Sequence, residues 1–230
     1  MKRFWKLVAV GQDAAGLSIA LDGRPLRTPG RAVLAAPTLA LAEAIAEEWR
    51  AVDERIDPRA MPLTGLANAA IDRVEGDPAG FAASLAAYGE SDLLCYRADG
   101  PDPLVARQRA LWDPALDWAR ARYDVHFAVT TGIVHCAQPP ATTARLGEAI
   151  AARAPFELAA LSPIVTITGS LVIALMLAEQ AIAANDAWNA AHVDEIWQAE
   201  QWGQDDLAAG ARDVRRRDFD AAVRFLALLR

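Results

Sequence analysis

The hydrophobic pattern of this chain changes once, and that change constrains the fold more than any other feature. Up to residue 36, short β-type segments at 4–10, 17–21 and 31–35 alternate with clusters of turn residues. Asp22-Gly23, between two apolar runs, is typical of a tight hairpin turn. Beyond residue 38 nearly every segment has helical periodicity. The pattern therefore predicts a small antiparallel sheet followed by helices.

A sheet of three or four strands cannot bury both of its faces, so another element must cover one of them. A helix predicted from the N-cap Thr38 to about Val52 places Leu41, Ile45 and Trp49 at steps of four along one face. We expect this face to cover the sheet, which gives Trp49 a structural role.

The predicted fold class is α+β, with a small N-terminal antiparallel β domain and its covering helix at residues 1–58. A larger C-terminal helical bundle domain is expected at residues 59–230, after a proline-containing connection. The later β-like run at 125–134 is expected to be a strand or extended loop that packs on the small sheet.

Three features of the helical part lead to specific predictions. Pro114 lies in the middle of a predicted helix at 103–122, where proline favours a kink or a break. Segments 155–177 and 181–203 are each expected to be one helix. The apolar run within the first of them is too short to span a membrane, so we expect a buried helix and no membrane insertion.

Composition excludes several classes of function. The net charge of −7 and the pI near 5.0 argue against nucleic acid as a partner, because phosphate binding needs a concentrated positive surface. Lysine occurs only at Lys2 and Lys6, so a phosphate loop or an internal Schiff base in its usual form is excluded. The two cysteines lack metal-ligand spacing. We expect no catalytic residue, no metal site and no cofactor.

The segment around Glu195 is the most unusual part of the sequence. Trp188, Glu195 and Trp202 are spaced by sevens, so one continuous helix would place a carboxylate between two indoles. Either Glu195 pairs with one of the many arginines, or it remains available to a partner. Trp188 is expected to be structural. His192 stands three residues before Glu195, but further metal ligands are missing.

Six motifs occur in an order that resembles one family of assembly chaperones for F-type ATP synthase, known from mitochondria and alphaproteobacteria. The motifs are LDGRPLRTP at 21–29, LAEAIAEEW at 41–49, MPLTGLANAAID at 61–72, SDLLCYRA at 91–98, ARQRALWDPALDWA at 106–119 and DEIWQAEQWGQD at 194–205. Together they extend over nearly the whole chain, which makes the resemblance more specific than any single motif.

The resemblance implies a chaperone without catalytic activity that binds the unassembled alpha subunit and prevents its aggregation. The acidic position of the family falls on Glu195, and its Glu-Trp pair falls on Glu48 and Trp49. We therefore predict a partner-binding site formed by Glu195, Trp202 and Asp205. Because the chain starts directly at the sheet, we expect it to be bacterial and cytoplasmic. We also expect a monomer. The alternative is a small-molecule enzyme with its site in the cleft between the β domain and the helical domain.

Overall fold

The N-terminal sheet is organised around its second strand. The computed structural model describes residues 2–14, 16–203 and 206–230. Strand β1 (Val8–Asp13) pairs antiparallel with β2 (Gly16–Leu21) along its whole length. Two short strands, β3 (Arg24–Pro25) and β4 (Ala35–Ala36), pair antiparallel with the end and the start of β2, respectively. The predicted small antiparallel sheet is therefore confirmed.

The hairpin between β2 and β3 forms where the sequence predicted it. Asp22 and Gly23 have φ angles of +48° and +78°, the left-handed conformation that this turn requires. The Asp22 carboxylate also accepts hydrogen bonds from the backbone N–H groups of Lys6 and Leu7. Residues 11–13 are of types that favour turns, yet they continue the pairing of β1 with β2.

Helix α1 (Leu39–Ala51) covers one face of the sheet. The Thr38 hydroxyl accepts a hydrogen bond from the backbone N–H of Leu41, so the predicted N-cap is confirmed. Leu41, Ile45 and Trp49 are all buried. The ring centres of Trp5 and Trp49 are 5.1 Å apart, and the indole N–H of Trp5 donates a hydrogen bond to the Trp49 carbonyl oxygen. The β-type segments and this helix thus share one apolar core.

Helix α2 (Pro62–Ala69) receives its N-terminal cap from α1 and not from its own sequence. The carboxylate of Glu48 accepts hydrogen bonds from the backbone N–H groups of Leu63 and Thr64, each at 2.8 Å, and from the Thr64 hydroxyl. Burial raises the pKa of Glu48, and these hydrogen bonds act in the opposite direction. Glu48 therefore joins two helices.

The rest of the described chain is mainly helical. The remaining helices are α3 (Pro78–Ala86), α4 (Asp102–Tyr123), α5 (Pro140–Ala151), α6 (Pro155–Thr168), α7 (Leu171–Ala178), α8 (Ala184–Ala191), α9 (Val193–Trp202) and α10 (Asp206–Leu228). Short 3-10 and π segments occur at Pro58–Ala60, Ala70–Val74, Ala87–Glu90 and Leu93–Cys95. The α+β class predicted from the sequence is confirmed. No helix among residues 2–14, 16–203 and 206–230 is long and apolar enough to cross a membrane.

The β-like run at 125–134 contains a short strand, and its packing on the small sheet stays a prediction. Only Thr130–Thr131 forms a strand there, β6, and it pairs in parallel with β5 (Tyr96–Arg97). The partner strand comes from the SDLLCYRA motif and not from the small sheet. A run of β-forming residues shows that a strand is favoured, but it does not show which strand will pair with it.

Three predicted helices differ from those observed. The run 155–177 is divided at Gly169, which has a φ of +65°, and Ser170 caps the following helix by accepting from the N–H of Ile173. The run 181–203 is divided at His192. In contrast, α4 continues through Pro114. Pro114 and Ala110 are both exposed, so water can solvate the carbonyl group that proline leaves unbonded.

The chain forms two compact units. One comprises residues 1–78, 154–160 and 220–230, and the other comprises residues 79–153 and 161–219. The first contains the small sheet with α1 and α2, and the second contains most of the remaining helices. The predicted domain division at residue 58 stays a prediction.

Candidate functional site

An exposed groove lies between α9 and the first part of α10. It has a volume of about 370 Å³. Alanine side chains and the helix-ending Gly203 form much of its lining, together with Trp202, Arg212 and the ion-paired residues Glu195 and Arg215. Trp202 is 79% exposed, and Leu207 on α10 is 84% exposed. An exposed tryptophan in the lining of a groove can be buried by another protein, so this surface is suited to protein binding.

Glu195 and Arg215 form a bidentate ion pair across this groove. The two nitrogen-to-oxygen distances are 3.1 Å and 2.9 Å, and the side chains are 46% and 42% exposed. The Arg215 Nε atom is buried and has no hydrogen-bond partner among the described residues. A half-exposed pair of this kind contributes about 0–1 kcal/mol to stability, so its groups can be exchanged for those of a partner.

The expected arrangement of Glu195 between two indoles is wrong. Helix α8 ends before His192, so Trp188 and Glu195 belong to different helices. Trp188 is buried, stacks on His192 with the ring centres 3.8 Å apart and packs against Phe219. Burial lowers the pKa of His192. Trp202, in contrast, remains at the surface beside Glu195. Asp205, the third predicted partner-binding residue, lies outside the described residues.

Side chains of α4 hold α9 in place. Arg107 forms a bidentate ion pair with Glu200 at 2.7 Å and 2.9 Å. The buried Gln108 amide donates to Asp194 at 2.8 Å and also accepts from the backbone N–H of Ala98. These contacts fix the helix that presents Glu195.

The positioning role of Gln108 was missed from the sequence. Leu104, Gln108 and Trp112 step by four along α4, so an amide occupies a position on an otherwise apolar face. A polar residue in such a position indicates a buried hydrogen-bond partner. That partner, Asp194, belongs to another helix, and no spacing in the sequence connects the two residues.

A larger cavity lies within the N-terminal unit. Its volume is about 950 Å³, and its lining is mostly apolar. Phe156, Leu226 and Leu229 contribute to this lining from residues 154–160 and 220–230, the later segments of the same unit. Glu75 and Glu157 are the carboxylates of its described lining. Such a lining is suited to an apolar group rather than to acid-base chemistry.

Three solved structures resemble this chain over its full length. Atp12 from Paracoccus denitrificans is 43% identical, with a TM-score of 0.95 over 100% of this chain and 98% of that chain. A lysine-substitution mutant of the same Paracoccus protein is 42% identical, with the same TM-score and coverage. A protein from Agrobacterium tumefaciens is 42% identical, with a TM-score of 0.94 over 100% of this chain and 86% of that chain.

The family model described as ATP12 chaperone protein matches residues 2–120, which include the small sheet, α1, α2 and most of α4. The matched region contains five of the six motifs that carry the resemblance noted in the sequence. The chain therefore belongs to the ATP12 chaperone family, the ATP synthase assembly chaperones that its motifs resemble.

Proposed function

We propose that this chaperone binds the unassembled alpha subunit of F-type ATP synthase in the groove between α9 and α10. The observation that supports this proposal most is the 79% exposure of Trp202 in the groove that the Glu195–Arg215 ion pair also lines. Tryptophan and arginine are the residues that contribute most often to the energy of protein interfaces. An apolar client surface would bury Trp202 and remove it from water.

The ion pair gives the groove a means of selecting its client. Glu195 and Arg215 are each about half exposed, so either group can turn from the other to a charged or polar group of the client at little cost. Once the client covers them, a mismatched charge would be desolvated without a partner, which is strongly unfavourable. Apolar burial would thus provide affinity, and the charged pair would provide specificity.

The client can be identified by an aggregation assay. Purified alpha subunit is diluted from denaturant with and without an equimolar amount of the chain, and light scattering is followed. We expect the chain to suppress the scattering of the alpha subunit but not that of the beta subunit treated in the same way. Equal suppression of both subunits, or of neither, would contradict alpha-subunit specificity.

We further propose that the chain acts as a monomer in the cytoplasm and carries out no catalysis. Size-exclusion chromatography with light scattering should give the 24.7 kDa mass of one chain at micromolar concentration. With an excess of alpha subunit, a single complex with one chain per client is expected. A dimeric mass at the same concentration would contradict the monomer.

A further inference from the structure

A small polar cavity lies against β5, β6 and α4. Its volume is about 210 Å³, whereas a single buried water requires roughly 10–15 Å³ of such space. The side chains that give it polar character are Arg97 from β5, Arg109 and Asp113 from α4, and Thr130 and Thr131 from β6. This cavity does not share a residue with the groove between α9 and α10.

Arg97 is held rigidly in the wall of this cavity. Its side chain is nearly buried, its Nε atom donates to the Leu94 carbonyl oxygen, and its Nη2 atom pairs with Asp113 at 2.8 Å. The guanidinium carbon lies 5.1 Å from the centre of the Trp112 ring. The remaining nitrogen, Nη1, is buried and has no hydrogen-bond partner among the described residues. A buried donor that is left without a partner in the wall of a cavity points to an acceptor, such as a water or an anion.

Further donors reach the cavity from the two neighbouring elements. Arg109 is exposed and forms no ion pair within residues 2–14, 16–203 and 206–230, although it lies one helical turn from Asp113. Parallel pairing of β5 with β6 places Thr131 opposite Arg97, so these two side chains leave the strands on the same face, and both residues line the cavity. Asp113 neutralises one of the two arginines. The ionisable lining therefore keeps one net positive charge in a chain whose formal net charge is −7.

We propose that this cavity binds a tetrahedral oxyanion of the phosphate class. Its donors belong to three elements: a strand arginine, a helix arginine and Thr131 of the adjacent strand. A planar carboxylate is best bound by a single guanidinium edge, and Asp113 already takes one edge of Arg97. A phosphate group presents oxygens in several directions, which matches donors that come from several elements. Arg97 belongs to the SDLLCYRA motif and does not line the groove between α9 and α10. The anion site therefore gives this arginine a role that client binding in the groove does not.

An isothermal calorimetric titration tests the proposal. The full chain is titrated with inorganic phosphate in a chloride buffer. Saturable binding of one phosphate per chain is expected. Arg109→Gln removes an exposed side chain, so the fold should be retained, and it should weaken phosphate binding about tenfold or more. The matched control is Arg120→Gln on the same helix, where the arginine pairs locally with Asp117 outside the cavity. This control should bind phosphate as the original chain does.

Three results would overturn the proposal. The first is the absence of saturable heat with inorganic phosphate. The second is equal phosphate affinity in the original chain and in Arg109→Gln, because the ion would then bind elsewhere. The third is tighter binding of acetate than of phosphate, which would assign the cavity to a carboxylate. Thr131→Val provides a second test from the opposite wall, since it removes a hydroxyl donor and should also weaken phosphate binding.

Discussion

At the scale of single residues, the substitution Glu195→Lys distinguishes a structural role of Glu195 from a role in client binding. Its ion pair with Arg215 is half exposed, so Glu195→Lys should reduce the free energy of unfolding by no more than about 1 kcal/mol. The new lysine would face Arg212 and Arg215 and should weaken binding of the alpha subunit at least tenfold. Thermal unfolding measured beside client affinity separates the two effects.

Glu200→Lys is the matched control for this substitution. Glu200 lies on the same helix, has the same 46% exposure and also pairs with an arginine, Arg107, but it does not line the groove. The control loses one exposed ion pair with α4, but the Gln108–Asp194 hydrogen bond still holds α9, so it should fold with similar stability and keep its client affinity. Equal loss of affinity in both variants would show that charge on α9 matters in general and that Glu195 has no specific role.

Asp92 provides a prediction about pH. Burial raises the pKa of Asp92 to about 6 from an ordinary value of 3.8, although the N–H of Val172, the Ser170 side chain and the N–H of Leu94 donate to it. The folded chain then binds this proton more tightly than the unfolded chain. This carboxyl group alone should therefore lower the free energy of unfolding by roughly 3 kcal/mol as the pH rises from about 4 to 6.

Urea unfolding across that pH range, compared between the original chain and Asp92→Asn, isolates the contribution of this group. The difference in stability between the two chains should change through the range, because asparagine does not titrate. A constant difference would mean that Asp92 has the same pKa in both states. A carboxyl-carbon NMR titration gives an independent value of its midpoint.

At the scale of elements, the Glu-Trp pair of α1 joins the sheet, α1 and α2. Glu48→Ala would leave the N–H groups of Leu63 and Thr64 without their acceptor and should cost about 1–3 kcal/mol. Glu47→Ala removes an exposed carboxylate from the same helix and should change the stability by less than about 0.5 kcal/mol. Chemical denaturation of both variants measures the difference, and equal midpoints would contradict the capping role.

The adjacent Trp49 should be sensitive for a different reason. It is 8% exposed and packs on Trp5 across the face that α1 presents to the sheet. Trp49→Arg would leave a cavity and bury a charge, which should cost several kcal/mol, a large part of the stability of a domain. We expect insoluble protein on expression. A soluble variant that melts within a few degrees of the original chain would show that Trp49 has no such packing role.

Local chemistry explains which elements could be predicted from the sequence. The Asp22-Gly23 turn and the Thr38 cap depend on residues close in the chain, and both are found as predicted. The breaks at Gly169 and His192 were missed, because long apolar runs hide a left-handed glycine, and nothing in the composition around His192 marks a helix end. The pairing of Thr130–Thr131 with Tyr96–Arg97 is a long-range choice that local patterns do not encode.

The candidate site was predictable only in part for the same reason. Helical spacing placed Trp202 near Glu195, and the structure brings both to one groove. The same spacing joined Trp188 to them, which failed because the helix is divided at His192. Arg215 lies in a basic run at 215–217 and pairs with a carboxylate. That this carboxylate is Glu195 follows only from the packing of α10 beside α9.

At the scale of the whole molecule, family membership and the distribution of exposed apolar side chains point to the same activity. The chain belongs to a chaperone family, and Trp202 and Leu207 are exposed together at the end of α9 and the start of α10. A chaperone must present an apolar surface to its client, and Trp202 is an exposed apolar side chain in the lining of the groove. The groove is therefore the part of the molecule on which the proposed function depends.

The affinity of purified alpha subunit for Trp202→Ala tests the central claim most directly, with Ile133→Ala as the control. Ile133 is 96% exposed and lies outside the groove, so both substitutions remove an exposed apolar side chain with little effect on folding. Calorimetric titration should show affinity at least tenfold weaker for Trp202→Ala and unchanged for Ile133→Ala. Equal affinity of the original chain and Trp202→Ala would contradict client binding in this groove.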